Sequence, residues 1–357
     1  MEKQLTIIIP TYNMEQYIRK CLDSLLIPEI DQIEVLVVND GSKDKSSEIA
    51  HRYSDRYPDS IKVIDKPNGN YGSCINAAIP VAKGRYVKIL DADDTFDTEA
   101  FSKMVKFLAN CNDDCIITNY VGVDPDGKPL PHQTHLYEGI SPNTTYTFAE
   151  VSNELVEDGA MHALAIKTNI IRNIGYTQSE GISYTDMEWI YSPIAYCKTF
   201  IHFPQIVYKY LNGREGQTVD ARVMLNRVDN ILIGLQKQID LLEELKDVTP
   251  EGKIYLKRML AKRLMRTYRL VLSHPESNQE LLTDFDKKNK STLKRQGVDL
   301  ECISKLPILN TSYIKTWRKG NYKKGFSINW LPLHYFPNIH RIRKFTSLIK
   351  EPYFKVK

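Results

Sequence analysis

The chain has 357 residues, of which 42% are apolar and 26% charged, a composition that supports a large buried core and excludes wholesale disorder. No apolar run approaches the ~18 residues of a membrane span. The formal charge of +4 conceals an asymmetry: residues 1–210 carry 19 Lys and Arg against 29 Asp and Glu, whereas residues 211–357 carry 29 against 15.

The acidic front half argues against nucleic acid as a partner. The basic back half suits phosphate, an anionic membrane surface or the acidic half of the same molecule. Six cysteines, at positions 21, 74, 111, 115, 197 and 302, show neither metal-ligand nor disulfide-framework spacing. The opening MEKQLTIIIP enters a strand-like run without a signal-peptide h-region. A cytoplasmic protein with reduced thiols is expected.

Over the first 120 residues two periods alternate. Apolar runs predict strands at 5–9, 33–38, 61–65, 86–90 and 115–120. Helical spacing predicts helices over 14–26, 45–57, 72–81 and 98–108. Strands that read as near-continuous apolar runs between helices point to a parallel sheet covered on both faces. After residue 120 the pattern loosens: DPDG at 124–127 marks a hairpin turn, and 148–210 mixes short helices and strands. From about residue 220 it becomes helical, over 221–245, 253–272 and 276–288. Lys257, Arg258, Lys262, Arg263, Arg266 and Arg269 give the middle helix a basic side. The organisation expected is an α/β domain over 1–219, divided at residue 97 into two halves, with a basic helical region over 220–357.

In open α/β sheets ligands bind beyond the carboxyl ends of the strands, and the polar residues of this chain gather there. The first strand ends in Pro10-Thr11-Tyr12-Asn13, the second in Asn39-Asp40-Gly41-Ser42, and the fourth in Asp91-Ala92-Asp93-Asp94. Three carboxylates within four positions repel one another unless a cation or donors compensate. Oxygen ligands without neighbouring Cys or His favour Mg2+ or Mn2+, shared with the phosphates of a ligand. Helix capping by Asp94 or Asp97 accounts for one acid of the group, not three. Asp40 is either part of a turn and helix cap or an acceptor for a base or ribose. Tyr12 is either a stacking partner for a nucleobase or an ordinary half-buried tyrosine. No phosphate-binding glycine loop follows the first strand, which weighs against a P-loop NTPase and a dinucleotide enzyme.

Taken in order, TIIIPTYNMEQYIRKCLDSL, VLVVNDGSKDKS, NGNYGSCINAAI and GRYVKILDADD resemble the family 2 glycosyltransferases, inverting enzymes that use nucleotide-diphosphate sugars. The resemblance covers residues 5 to about 97. It implies a GT-A fold, an α/β nucleotide-sandwich with a mostly parallel sheet between helices. It implies that Thr11 and Tyr12 line the nucleobase pocket, that Asp40 meets the base or ribose, and that Lys66 and Asn68 lie near the nucleotide sugar. Asp91 and Asp93 become the Asp-x-Asp pair, with Asp93 favoured as the direct ligand to Mn2+ or Mg2+. The family's downstream acidic motif falls on YTDMEW, where Thr185 replaces the usual Glu. Asp186 is then the expected general base, with Glu188 as the fallback. Arg214 resembles a residue of the mobile loop that closes over the donor diphosphate. His162 stands where such enzymes bind the acceptor, although a satisfied structural imidazole is the expected state.

The partners implied are a nucleotide-sugar donor, a UDP-sugar in first place, and a glycan or lipid-linked acceptor, in the setting of bacterial surface-polysaccharide assembly. Aromatic and basic residues interleave near the end of the chain, among them Trp317, Trp330, Tyr335, Phe336, Arg341, Arg343, Lys344 and Phe345. They suit peripheral docking on the inner membrane face. Two competing functions are a sugar nucleotidyltransferase and a non-catalytic nucleotide-sugar or carbohydrate-binding protein. The first would carry a Gly- and Arg/Lys-rich loop after strand one. The second predicts the loss of one or more of Asp40, Asp91, Asp93 and Asp186, and all four are present.

Overall fold

The computed structural model describes residues 2–213, 221–275, 277–306, 311–323 and 325–328. The chain separates into two compact units, residues 1–215 and 216–357.

Unit 1 contains, in chain order, β1 (Leu5–Thr11), α1 (Ile18–Asp23), β2 (Ile33–Asn39), α2 (Ser46–Arg56), β3 (Ile61–Asp65), α3 (Asn70–Ala78), β4 (Tyr86–Ile89), β5 (Thr95–Phe96) and α4 (Thr98–Leu108). There follow β6 (Cys115–Val123), β7 (Pro129–His135), β8 (Thr145–Thr147), α5 (Phe148–Asp158), β9 (Leu164–Lys167), α6 (Thr168–Asn173), α7 (Asp186–Trp189) and β10 (Thr199–Leu211). One sheet runs in the order β3-β2-β1-β4-β9-β6-β10-β5, with β7 beside β6 and β8 beside β10. The β3-β2-β1-β4 block and the β6–β10 pair are parallel. Between them β9 runs antiparallel to both of its neighbours.

Every residue of β1, β2 and β4 is buried, whichever face it points to. Both faces are therefore covered, as the apolar runs require. The buried polar groups among them are satisfied. Thr6 Oγ1 donates to Glu34 Oε2 (2.7 Å), which also accepts from the Lys83 amide (2.7 Å).

Two elements differ from the expected pattern. The helix predicted from residue 14 begins only at Ile18. Residues 13–15 are held instead by the loop after β2. Met14 N donates to Ser46 Oγ (2.7 Å), Glu15 N to Asp44 Oδ2 (3.0 Å), and Asn13 takes a left-handed conformation (φ 53°) while its side chain accepts from Lys43 N (2.8 Å). Such side-chain bonds compete directly with helical ones. Where 148–210 reads as a mixture of short helices and strands, β10 runs unbroken from Thr199 to Leu211 and passes Pro204 through register shifts between Phe203 and Tyr208. Bulges absorb a proline that the ladder cannot use. The expected cap of α4 is Asp97, whose side chain accepts from Ala100 N (3.0 Å), and this leaves Asp94 for another role.

Unit 2 contains α8 (Ala221–Asn226), α9 (Val228–Glu244), α10 (Pro250–Leu272), α11 (Gln279–Arg295), α12 (Leu300–Ile303), a two-stranded pairing of β11 (Lys305–Leu306) with β12 (Thr311–Ser312), and α13 (Tyr313–Lys319). Thr249 caps α10, with Pro250 in its first turn. Its core holds a charged network: the fully buried Asp286 accepts from Tyr268 OH (2.6 Å), Arg318 Nε and Nη2 (2.9 and 2.7 Å) and Tyr322 OH (3.0 Å). The basic side expected of α10 is partly inside, since Arg263 and its neighbours Leu260 and Leu264 are buried. Among the described residues no helix is long and apolar enough to cross a membrane.

Candidate active site

The carboxyl ends of β1, β2 and β3 bring together one group of expected residues. Asp40, buried immediately after β2, is the hub. Its Oδ1 accepts from Lys66 Nζ (2.7 Å) and from the Gly69 amide at the start of α3 (2.9 Å), while Asn68 Nδ2 donates to its carbonyl (3.0 Å). Lys66 Nζ also reaches Ser73 Oγ (2.8 Å). Gly41 makes this possible. It is left-handed (φ 73°), and a Cβ there would stand 3.1 Å from the Asn68 amide. Thr11 is buried beside Asp40, whose amide donates to the Thr11 carbonyl (2.8 Å). Tyr12 projects outward, 45% exposed. An exposed ring next to a buried carboxylate and lysine offers a face and a charge pair to a ligand.

The second group lies beyond β4. Asp94 is buried and accepts from Tyr208 OH (2.6 Å) and from the Leu211 amide (2.6 Å), both on β10. Tyr208 OH in turn accepts from the Asp91 amide (3.1 Å). Asp91 Oδ1 accepts from Tyr71 OH (2.8 Å), from α3. The acids crowd one another: burial, followed by the charges of Asp91 and Asp93, raises the Asp94 carboxyl well above the ordinary carboxylate value.

His162, in the 3-10 turn Met161–Ala163 before β9, stands against the same group. One ligand atom each from Asp91, Asp94 and His162 lie within 4.8 Å of one another. Burial, then the Lys88 and His135 charges, pull the imidazole down to about 3, so its ring is neutral at physiological pH. Two carboxylates and a neutral imidazole are a donor set that suits a divalent cation. The turn Asp91–Asp94 thus fits the cation expected there. The oxygens that gather with His162 belong to Asp91 and Asp94, with Asp93 beside them in the turn.

Asp186 opens α7, behind Thr185 and the left-handed Tyr184 (φ 65°). This segment is fastened to α3. Asn76 Nδ2 donates to the Gln178 carbonyl (2.8 Å), Gln178 N to Asn76 Oδ1 (2.8 Å), Gly181 N to the Gly69 carbonyl (2.9 Å), and Gln178 Nε2 to Thr185 Oγ1 (3.1 Å). Glu188 is buried and its Oε2 accepts from Ser179 N (3.0 Å). It braces the loop that carries Asp186.

Two tyrosines report where Asp186 stands. Burial raises the Tyr71 phenol, and the charges of Asp91 and Asp186 add to the rise. Burial also raises the Tyr210 phenol, followed by Asp94, Asp91, Asp93 and Asp186. Asp186 and the β4 acids thus act on the same two tyrosines. Arg214 lies outside the described residues.

Sequence reasoning overlooked these tyrosines and Tyr208. Tyr208 and Tyr210 are two apart on one strand and so share a face, and this period was the available signal. It also missed Lys88, buried within β4, whose Nζ donates to the His162 and Leu164 carbonyls (2.6 and 3.4 Å). His162 is not the satisfied structural imidazole expected. Both ring nitrogens are buried without a hydrogen-bond partner, and three tyrosine rings pack against the imidazole.

Burial pulls Lys88 down from 10.5 to about 7. Between those values the unfolded chain binds a proton that the folded chain has released, so this group makes stability rise with pH across the window and withdraws it as pH falls through 7. Lys88→Met is expected to remove that contribution. Urea midpoints of wild type and variant, compared from pH 6 to pH 10, should converge as pH rises.

Residues 6–169 match the family model described as Glycosyl transferase family 2. An uncharacterized glycosyltransferase of Mycoplasma pneumoniae is 46% identical over 103 residues, 28% of this chain and 34% of that protein. A chondroitin synthase of Pasteurella multocida is 37% identical over 125 residues, 35% of this chain and 13% of that protein. The match thus spans about a third or less of these curated relatives. Among solved structures, S. aureus TarS 1–349 in complex with UDP-GlcNAc has a TM-score of 0.51 at 21% identity, over 82% of this chain and 92% of that one. A second TarS structure gives 0.63 at 18% identity, over 89% and 54%. The fold is shared with these structures, and residues 6–169 are similar to glycosyl transferase family 2.

Proposed function

We propose that the protein transfers a sugar, with inversion, from a nucleotide-diphosphate sugar to a hydroxyl of a glycan or lipid-linked acceptor. The observation that carries this reading is the convergence of Asp94, Asp91, Asp93 and Asp186 on Tyr210. It supports a diphosphate-binding acid cluster with a separate carboxylate in electrostatic reach of the same tyrosine.

In this reading the nucleobase rests against Tyr12 and Thr11, and Asp40 with Asn68 receives the base or ribose. Lys66, held at Asp40 and Ser73, presents its charge near the phosphates. Asp91 and Asp93, together with Asp94, would hold Mn2+ or Mg2+. The cation, when bound, stabilises the negative charge that develops on the departing nucleoside diphosphate. Asp186 accepts the proton of the acceptor hydroxyl as its oxygen attacks the anomeric carbon. The proton ends on Asp186, the glycosidic bond to phosphate breaks, and a new one forms from the opposite face. Glu188 is already engaged with Ser179 and serves the loop rather than the proton.

The TarS complex with UDP-GlcNAc supports a UDP-sugar donor, and the chondroitin and hyaluronan synthases among the relatives support a glycan acceptor. The basic helical unit supplies charge for an anionic membrane face, where a lipid-linked acceptor resides. Calorimetry with UDP-, dTDP-, GDP- and CMP-sugars, with and without Mn2+, tests the donor. One sugar nucleotide should bind in a metal-dependent way and lose at least tenfold affinity in Asp93→Ala. Binding of none by folded protein, with lipid vesicles present or absent, would return the reading as a non-catalytic carbohydrate-binding protein.

A further inference from the structure

His162 carries a side chain that the fold does not use. Its backbone is fixed: the carbonyl accepts from the buried Lys88 Nζ at 2.6 Å, and the turn leads directly into β9. Its ring is fixed too, packed against Tyr208 (4.6 Å between centroids, 80°), Tyr210 (4.8 Å, 58°) and Tyr120 (5.4 Å, 29°). Yet both ring nitrogens are buried with no hydrogen-bond partner. Each unmade bond of this kind carries an uncompensated desolvation cost. A ring held so rigidly at that cost implies a partner that is not part of the chain.

The neighbouring acids identify that partner. The ring offers a nitrogen within 4.8 Å of oxygens from both Asp91 and Asp94. Ligand atoms that each stand about 2.1 Å from one ion are at most about 4.2 Å apart, so the three groups close on an ion through a contraction of about half an ångström. Tyr71 and Tyr208 already orient the two acids.

We propose that His162 is a ligand of the donor-site cation, and that its nitrogen selects Mn2+ and related transition ions over Mg2+. The inference rests on the donor-site reading above for the cation's purpose, but not for its detection. Mg2+ favours all-oxygen surroundings, whereas imidazole strengthens binding of the transition ions. His162 thereby joins β9 to the β4 turn through the ion and couples the acceptor half of unit 1 to the donor half.

The test uses the full chain and Mn2+ alone, without any sugar nucleotide. Pulsed electron paramagnetic resonance should show nitrogen coupling to bound Mn2+. The coupling should vanish in His162→Ala and in His162→Phe, the second of which keeps an aromatic ring in the packed space. Calorimetry should show Mn2+ affinity falling at least tenfold in both variants, with Mg2+ affinity changed less than threefold. Nitrogen coupling that persists in the variants, or Mn2+ bound without any, overturns the role of His162 and leaves the donor-site reading standing. If neither Mn2+ nor Mg2+ binds, with UDP present or absent, the metal reading of the site falls, and this inference with it.

Discussion

Asp186→Asn is expected to lower the rate of sugar transfer by about 10²- to 10⁴-fold, the usual contribution of a positioned general base, while leaving donor affinity within about twofold of wild type. The substitution keeps size and hydrogen-bonding capacity but removes the ability to take a proton at neutral pH. The side chain lies at the first position of α7, and the helix is anchored by Glu188 to Ser179 and by Thr185 to Gln178, so the variant should fold as wild type does. The loss should appear in kcat and kcat/KM for the acceptor reaction together, the pattern of an interaction made only in the transition state. Initial rates with the donor identified by calorimetry, set beside the donor's dissociation constant, give the two numbers required. A variant that transfers sugar at the wild-type rate would move the proton acceptor elsewhere. A variant that also loses donor binding would make Asp186 part of the donor site. Glu188→Gln tests the other acid of the motif: it should lower stability more than rate, since Glu188 is buried and bonded to the Ser179 amide.

What could be read from the sequence divides along physical lines. β1 and β2 were legible because central parallel strands leave near-continuous apolar runs, and α4 was legible because its apolar positions and its cap at Asp97 agree. The start of α1 was not, because Asn13, Met14 and Glu15 are held by residues some thirty positions away. The reversed β9 was not, because its direction depends on pairing with β4 and β6, which no local period records. The same division runs through the site. Asp40, Asp91 and Asp93 stood out because carboxylates at successive strand ends have few structural duties, and Asp186 because its segment resembles the family's downstream acidic motif. Tyr71, Tyr208 and Tyr210 did not, since a tyrosine is ordinarily a half-buried filler. Only the structure shows their hydroxyls and rings turned toward those acids.

Gly72→Ala is expected to destabilise the protein by about 2–3 kcal/mol, although alanine is the better helix former by about 1 kcal/mol. Gly72 lies within α3 and has no unusual backbone angle, so nothing in the helix itself requires glycine. The requirement comes from outside. A Cβ at this position would overlap the Ser179 carbonyl, a backbone atom that no rotamer change can move aside. Ser179 is itself pinned by the Gln178 bonds to Asn76, by the Gly181 bond to Gly69 and by the Ser179 bond to Glu188. Relieving the overlap means shifting that loop, and the loop leads to Asp186. A displacement of about 1 Å at a reacting group costs roughly 10²-fold in rate, so the variant should lose activity even well below its melting temperature. Gly234→Ala provides the contrast. That glycine sits inside α9, where an added methyl would meet nothing within 4 Å, and the substitution should stabilise by about 1 kcal/mol through helix propensity alone. Thermal melts of the two variants should move in opposite directions from wild type. If Gly72→Ala melts at or above the wild-type temperature with full transfer activity, the loop carrying Asp186 is not held against α3, and the rigid placement of the base loses its foundation.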